Sequence, residues 1–256
     1  GMPKPATIQE LRQFLDASKF LGKGADWNTL VYQFITKTPE NHSILARISE
    51  KMNGPNDVND ALTYNRYVLY NISSFTTAAT IDCDTNGGGA SESSSTRLVV
   101  KGANSSCVVD GTRPIITTNS SLSNGLLHFT AASWYTQWWY IDFYANGAGR
   151  ADYCVHSTNG VDTRCHFFFD CIMHGALDQA NIFIEGARWA VVGCEIYGGK
   201  KGVWNDGTYF LFAYNKVHDN TSRGVEMDST GSGSVGNLVY DNTGDGIEGN
   251  GGADYG

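Results

Sequence analysis

Cys171-Ile172-Met173-His174, Cys194-Glu195-Ile196-Tyr197, Asn215-Lys216-Val217-His218 and Asn237-Leu238-Val239-Tyr240 align without gaps over their hydrophobic positions, at steps of 23, 21 and 22 residues. A second column keeps the same period. Ile182, Val203, Val225 and Ile247 step by 21, 22 and 22, and a glycine precedes the aliphatic residue in Gly202-Val203, Gly224-Val225 and Gly246-Ile247. A period near 22 with very short strands, polar turns and no room for a helix in each unit is what one coil of a β-solenoid requires. Leucine-rich repeats have a similar length but need several regularly placed leucines per unit, and this region has few. The expected fold class is therefore all-β: a right-handed, single-stranded parallel β-helix of about 22 residues per coil.

Upstream the period blurs. Arg97-Leu98-Val99-Val100-Lys101-Gly102, Gly125-Leu126-Leu127-His128-Phe129 and Trp139-Tyr140-Ile141-Asp142-Phe143 read as strands of wider coils whose turns carry insertions. Tyr67-Val68-Leu69-Tyr70 and Thr80-Ile81-Asp82 mark where β-branched and aromatic residues take over. Ahead of them the pattern is helical. Thr7 with Glu10 is a capping box, followed by Ile8, Leu11, Phe14 and Leu15 at helical spacing. Thr38-Pro39 reads as the start of a second helix, whose stripe Ile44, Leu45, Ile48 continues to Met52 with Gly54 at its stop. The expected organisation is a short helical N-terminal segment over residues 1–58, a cap at or near the open end, followed by the parallel β-helix over 59–256.

The composition narrows the partners. Of 256 residues, 41% are hydrophobic and 12% aromatic, ample for a continuous core, and thirty glycines against five prolines suit an all-β chain with many tight turns. A net charge of −8 without a Lys/Arg stripe argues against nucleic acid. Pro3 to Phe20 holds no uninterrupted apolar run, so neither a signal peptide nor a membrane span is expected there. With no such signal, Cys83, Cys107, Cys154, Cys165, Cys171 and Cys194 are expected to be buried, mostly reduced thiols.

The stretch from Gly224-Val225-Glu226-Met227-Asp228 through Asn237-Leu238-Val239-Tyr240-Asp241-Asn242 to Gly246-Ile247 resembles the parallel β-helix repeat shared by pectate lyases, polygalacturonases, alginate-modifying enzymes and phage tailspikes. The resemblance covers residues 165–252 well and 80–160 loosely. It implies a protein that meets polysaccharide on the outside of a solenoid. It is specific for fold and unspecific for activity.

Alternation along the strands then selects candidate site residues. With Cys171, Cys194, Asn215 and Asn237 facing inward, the two asparagines as a hydrogen-bonded ladder and the cysteines as core thiols, His174, Tyr197, His218 and Tyr240 form an outward column. With Ile182, Val203, Val225 and Ile247 inward, Phe183, Trp204, Glu226 and Glu248 face outward, and two residues on so do Glu185, Asp206, Asp228 and Asn250. Asp206, Asp228 and Glu226 are the candidate catalytic carboxylates, because like charges this close raise one another's pKa and so keep a general acid protonated. Trp204, Phe183, Glu185, His218, Tyr197 and Arg223 are the candidate substrate contacts, the aromatics suiting sugar rings. A lyase would need a base, for which Lys200, Lys201, Lys216 and Arg223 are at hand, though none sits in a motif matching a pectate lyase signature. No metal ligands are assigned, and calcium at the acidic column is the cofactor to consider.

Two functions follow. One is a polysaccharide lyase or glycoside hydrolase working along the outer face. The other is a non-catalytic phage virion or tailspike-type module or adhesin, found on the virion or outside the cell after lysis. The partner in either case is a polysaccharide or cell-surface glycan, with neither nucleic acid nor membrane expected. The last strands call for cover from a homo-oligomer, such as a trimer, or from a longer chain.

Overall fold

A computed structural model describes residues 50–52, 68–72, 74–83, 98–104, 110–129, 136–158, 166–228, 231–249 and 254–255. It is a parallel β-solenoid of three sheets, and every strand pairing in it is parallel. Sheet A stacks Glu50–Met52, Val68–Ile72, Leu98–Gly102, Thr136–Trp139, His166–Phe169, Trp189–Val192, Phe210–Ala213, Gly233–Val235 and Asp254–Tyr255. Sheet B stacks Phe75–Thr77, Ile115–Thr118, Asp142–Tyr144, Ile172–His174, Glu195–Tyr197, Lys216–His218 and Leu238–Tyr240. Sheet C stacks Ile81–Asp82, Leu127–Phe129, Tyr153–Ser157, Ala180–Ile184, Lys201–Asn205, Val225–Met227 and Ile247–Gly249. Each coil runs through B, C and A in turn. Among the described residues no helix is long and apolar enough to cross a membrane.

The corners explain why the strands are so short. Between sheets A and B the chain turns at Tyr140, Asp170, Gly193, Tyr214 and Gly236, all at positive φ. Gly175, Gly198, Asp219 and Asp241 follow sheet B, and Arg188, Tyr209 and Gly231 precede sheet A, again at positive φ. A left-handed residue costs a non-glycine about 1–2 kcal/mol, so these corners are held by the strands packed on either side. The run Trp139–Phe143, expected as one strand, straddles such a corner at Tyr140 and belongs to two sheets.

Both repeat columns hold in register, and Ile182, Val203 and Val225 are fully buried, but Ile247, expected inward, is 41% exposed because its strand ends sheet C among the described residues. Cys171, Cys194 and Asn215 are buried in one line, with Asn237 half-buried beyond them. Asn215 Nδ2 donates to Asn237 Oδ1 at 2.9 Å and to the Val191 carbonyl at 3.0 Å, while Cys194 N donates to Asn215 Oδ1 at 2.8 Å. A second ladder was not anticipated. Asn220 Nδ2 donates to Asn242 Oδ1 at 2.8 Å, and Asn181 Nδ2 donates to Asn220 Oδ1 at 3.3 Å. This ladder accounts for two of the three recurring glycines: a Cβ on Gly224 would lie 2.6 Å from the Gly246 carbonyl oxygen and 2.8 Å from Asn242 Nδ2, and one on Gly202 3.0 Å from Asn220 Nδ2, whereas one on Gly246 would meet only Val239 at 3.6 Å.

Inside, Trp138, Phe168 and Trp189 stack nearly parallel, with centroids 6.2 and 6.0 Å apart. Each such ring, fully buried, contributes about 1.5–3 kcal/mol. Cys154, Cys171 and Cys194 are free and buried, as expected, Cys83 is likewise buried, and burial pushes the Cys154 and Cys171 thiols upward. Cys107 and Cys165 lie outside the described residues.

Strands begin earlier than the sequence suggests. Glu50–Met52, expected to end a helix, pairs in parallel with Val68–Ile72 at the first-coil end of sheet A. Ladder hydrogen bonds to a neighbouring strand outweigh a local helical stripe here. The remaining residues of the expected helices lie outside the described residues.

Candidate functional site

Sheet C carries the outward column His128, His156, Phe183, Trp204, Glu226 and Glu248, one residue per coil and in register. Outward does not mean free. Phe183 is buried and stacks on Trp204 with centroids 4.3 Å apart. Lys201 Nζ lies 3.7 Å from the Trp204 ring centroid and 2.7 Å from Glu226 Oε2, so the ammonium sits between this ring and the carboxylate of the following coil. Arg223 bonds Glu226 at 2.8 Å and Glu248 at 2.5 Å. Trp204 and Phe183 therefore bind coil to coil, and the Trp204 faces are taken by Phe183 and Lys201.

Glu226 is nearly buried within that network. Burial pushes its pKa up, but hydrogen bonds from Lys201 and Arg223 and their charges outweigh burial and hold the group below the ordinary carboxylate value. Such a carboxylate stays ionised and serves poorly as a proton donor. Lys201 and Arg223, considered as lyase bases, are engaged with Glu226.

One residue past the sheet C strands, Glu185, Asp206 and Asp228 stand exposed on successive coils. Their backbones are tied in series: Glu185 N donates to the Ser157 carbonyl at 3.2 Å, Asp206 N to Ile184 at 2.8 Å and Asp228 N to Asn205 at 2.9 Å. Trp204 Nε1 donates to Asp206 Oδ1 at 2.9 Å. The pKa of Asp206 is raised, first by partial burial and then by the charges of Asp228, Glu185 and Glu226, against the opposing Trp204 hydrogen bond. Asn250 lies outside the described residues.

Tyr197 and His218 are on sheet B, a different face. They belong to a ring ladder, Tyr144, His174, Tyr197, His218 and Tyr240, with successive centroids 4.5, 4.7, 5.1 and 4.9 Å apart. Carboxylates hold the imidazoles: Asp142 is 2.9 Å from His174 Nε2, Asp219 is 2.8 Å from His218 Nδ1, and Glu195 is 3.3 Å from His218 Nε2. Tyr144 extends the ladder one coil earlier than the 22-residue repeat reveals, because an insertion lengthens the step from it to His174.

Sequence reasoning also missed His128 and His156, both buried, with ring centroids 5.2 Å apart. Burial, then the charge of His128, pushes His156 down to about 4, against a hydrogen bond to the Asn124 backbone. Among the described residues no group of three or more His, Cys, Asp or Glu side chains is arranged to hold a metal ion.

No family model matches the chain, and neither a curated protein nor a solved structure matches it.

Proposed function

We propose that the protein binds an extended glycan along the outside of the solenoid at the edge formed by Glu185, Asp206 and Asp228, and hydrolyses it there. Asp206 is the proton donor of this reading and Asp228 the partner carboxylate. The observation that carries it is the row of exposed carboxylates Glu185, Asp206 and Asp228 on successive coils, in which partial burial and then its neighbours' charges push the Asp206 carboxyl upward. Successive coils stand about 4.8 Å apart, close to the roughly 5–5.5 Å between the carboxyls of a retaining glycosidase. Hydrolysis is favoured over elimination at this edge because Lys201 and Arg223 are engaged with Glu226, Lys216 stands on sheet B, and Lys200 stands at the end of the Lys201–Asn205 strand opposite Asp206. Trp204 serves here by orienting Asp206 through its indole N–H rather than by stacking on sugar.

A second reading, a glycan-binding fibre or tailspike-type module that acts outside the cell or on a virion, has one observation in its favour. The outward aromatics Phe183 and Trp204 and the acid Glu226 are consumed in contacts between coils. Reducing-sugar and unsaturated-uronate assays across a polysaccharide panel separate the two. Reducing ends that vanish in Asp206→Asn support hydrolysis. Unsaturated product would mean a lyase, and binding with neither product would establish the fibre module.

A further inference from the structure

The Lys201 ammonium fills a slot between two coils. It lies 3.7 Å from the Trp204 ring centroid on one side and 2.7 Å from Glu226 Oε2 on the other, and the second face of the ring is closed by Phe183. An aromatic face of this kind is also how proteins recognise the ammonium group of a ligand. In register with Lys201, the two preceding coils carry Ala180 and Tyr153, neither of which brings a cation. The flexible charge is therefore a property of this slot and not of the repeat.

Lys201 is not needed to hold Glu226 in place. Arg223 reaches Glu226 at 2.8 Å and Glu248 at 2.5 Å, and so ties the two coils by itself. With Lys201 present, two cations meet two carboxylates. With its side chain swung away, one cation is left for two carboxylates, and the slot gains a net negative charge beside an aromatic face. The side chain is 16% exposed, and its unbranched stem lets the ammonium reach water without moving the strand. The slot also adjoins the proposed working edge, since Trp204 Nε1 donates to Asp206 Oδ1 at 2.9 Å. The charges that act on Asp206 are those of Asp228, Glu185 and Glu226, all negative. Such a field attracts an ammonium and repels a uronate.

We propose, building on the glycan-binding reading of this edge, that Lys201 holds the place of an ammonium group of the glycan, so that the substrate class is a polysaccharide of amino sugars with free, protonated amines. A sugar amine entering the slot displaces the Lys201 ammonium to solvent, takes over the Trp204 face and the Glu226 carboxylate, and sets the glycan chain against Asp206. The exchange is non-covalent, one ammonium for another. Lys201 is thus an internal competitor that closes the slot to uncharged sugars and yields to a cation.

The test measures binding of three size-matched oligosaccharides by calorimetry, in mildly acidic buffer of low ionic strength: a glucosamine oligomer with free amines, its N-acetylated form and an oligogalacturonate. The parent should bind the free-amine oligomer at least about tenfold more tightly than the other two. Lys201→Met keeps the stem and removes the charge, and should tighten that binding by about a further tenfold, with no gain for the N-acetylated form. Lys216→Met removes the same charge from sheet B and should change nothing. An equal gain in Lys216→Met means general attraction to an acidic protein and overturns the slot. So does a parent that prefers the N-acetylated or uronate oligomer, or a Lys201→Met variant that binds the amine form no better than the parent does. These outcomes leave the glycan reading standing, whereas binding of none of the three, nor of any polysaccharide in the wider panel, overturns that reading and the slot with it. Should Lys201→Met fail to fold, the parent's order of preference decides alone.

Discussion

Asp206 and Glu226 are carboxylates on neighbouring coils that their surroundings push in opposite directions. Glu226 accepts from Lys201 and Arg223 and is held ionised, whereas Asp206 is pushed upward by partial burial and then by the carboxylates around it. Replacing each by its amide should therefore give opposite results. Glu226→Gln removes the carboxylate that Lys201 and Arg223 share, leaving Arg223 on Glu248 and Lys201 on the Trp204 ring, and should cost about 1 kcal/mol, little because both cations reach solvent. Asp206→Asn relieves repulsion, so the melting temperature should hold or rise while glycan turnover falls. A drop in stability with unchanged turnover would show that Asp206 is merely surface. His156 makes a pH prediction. Its folded pKa of about 4 lies below the ordinary histidine value of 6.5, so the unfolded chain binds the extra proton. Stability is then fully present above pH 6.5 and is lost as the pH falls toward 4, by on the order of 2 kcal/mol after allowing for solvent screening. The raised Asp206 works against this trend. Denaturant melts from pH 7 to 4 should be flatter in His156→Phe than in the parent.

At the scale of the element, the two asparagine ladders bind sheet to sheet and coil to coil. Each amide satisfies backbone groups at a corner, where the strand-to-strand ladders do not reach. Asn220→Ala would leave the Gly199 N–H, which donates to Asn220 Oδ1 at 3.0 Å, without a partner in the interior. Its expected cost is about 2–3 kcal/mol. Gly224→Ala should cost at least as much, because the added Cβ meets backbone that cannot shift without opening the ladder. Gly198→Ala is the contrasting case: at φ 62° with nothing within 4 Å of the new Cβ, it bears only left-handed strain, roughly 1 kcal/mol. Equal losses at Gly224 and Gly198 in urea titrations would contradict the ladder as the reason for the glycine column. The Asn215–Asn237 ladder was legible from the sequence because its residues share a column with the cysteines. The Asn220–Asn242 ladder has the same 22-residue spacing but sits in a corner, where alternation gives no direction for a side chain.

Over the whole molecule, contacts run from each coil to the next, so local damage should spread only to neighbouring coils. Phe168→Ala removes a fully buried ring from the central stack and should cost about 3–5 kcal/mol. Val239→Ala, at a half-buried position on the last described strand of sheet B, should cost under about 1 kcal/mol. Hydrogen exchange should show the first loss centred on the Trp138 to Trp189 coils and the second confined to residues near 239. A uniform loss of protection in both variants would mean that the solenoid unfolds as one unit and not coil by coil.

The sequence by itself determined the solenoid, its period, the inward columns and the stacking of Asp206 on Asp228 and of Tyr197 on His218. All of these follow from a repeat whose side chains alternate with period two. Tertiary structure alone decided which outward residues are available. Lys201 precedes its coil's inward Val203 by two residues, and nothing in its spacing reveals that its ammonium closes over Trp204 and binds Glu226 one coil away. Alternation tells inside from outside, whereas exposure depends on what the side chains of neighbouring coils lay over the outside. That is why the carboxylate edge could be read from the sequence, while the closing of Lys201 over Trp204 could be found only in three dimensions.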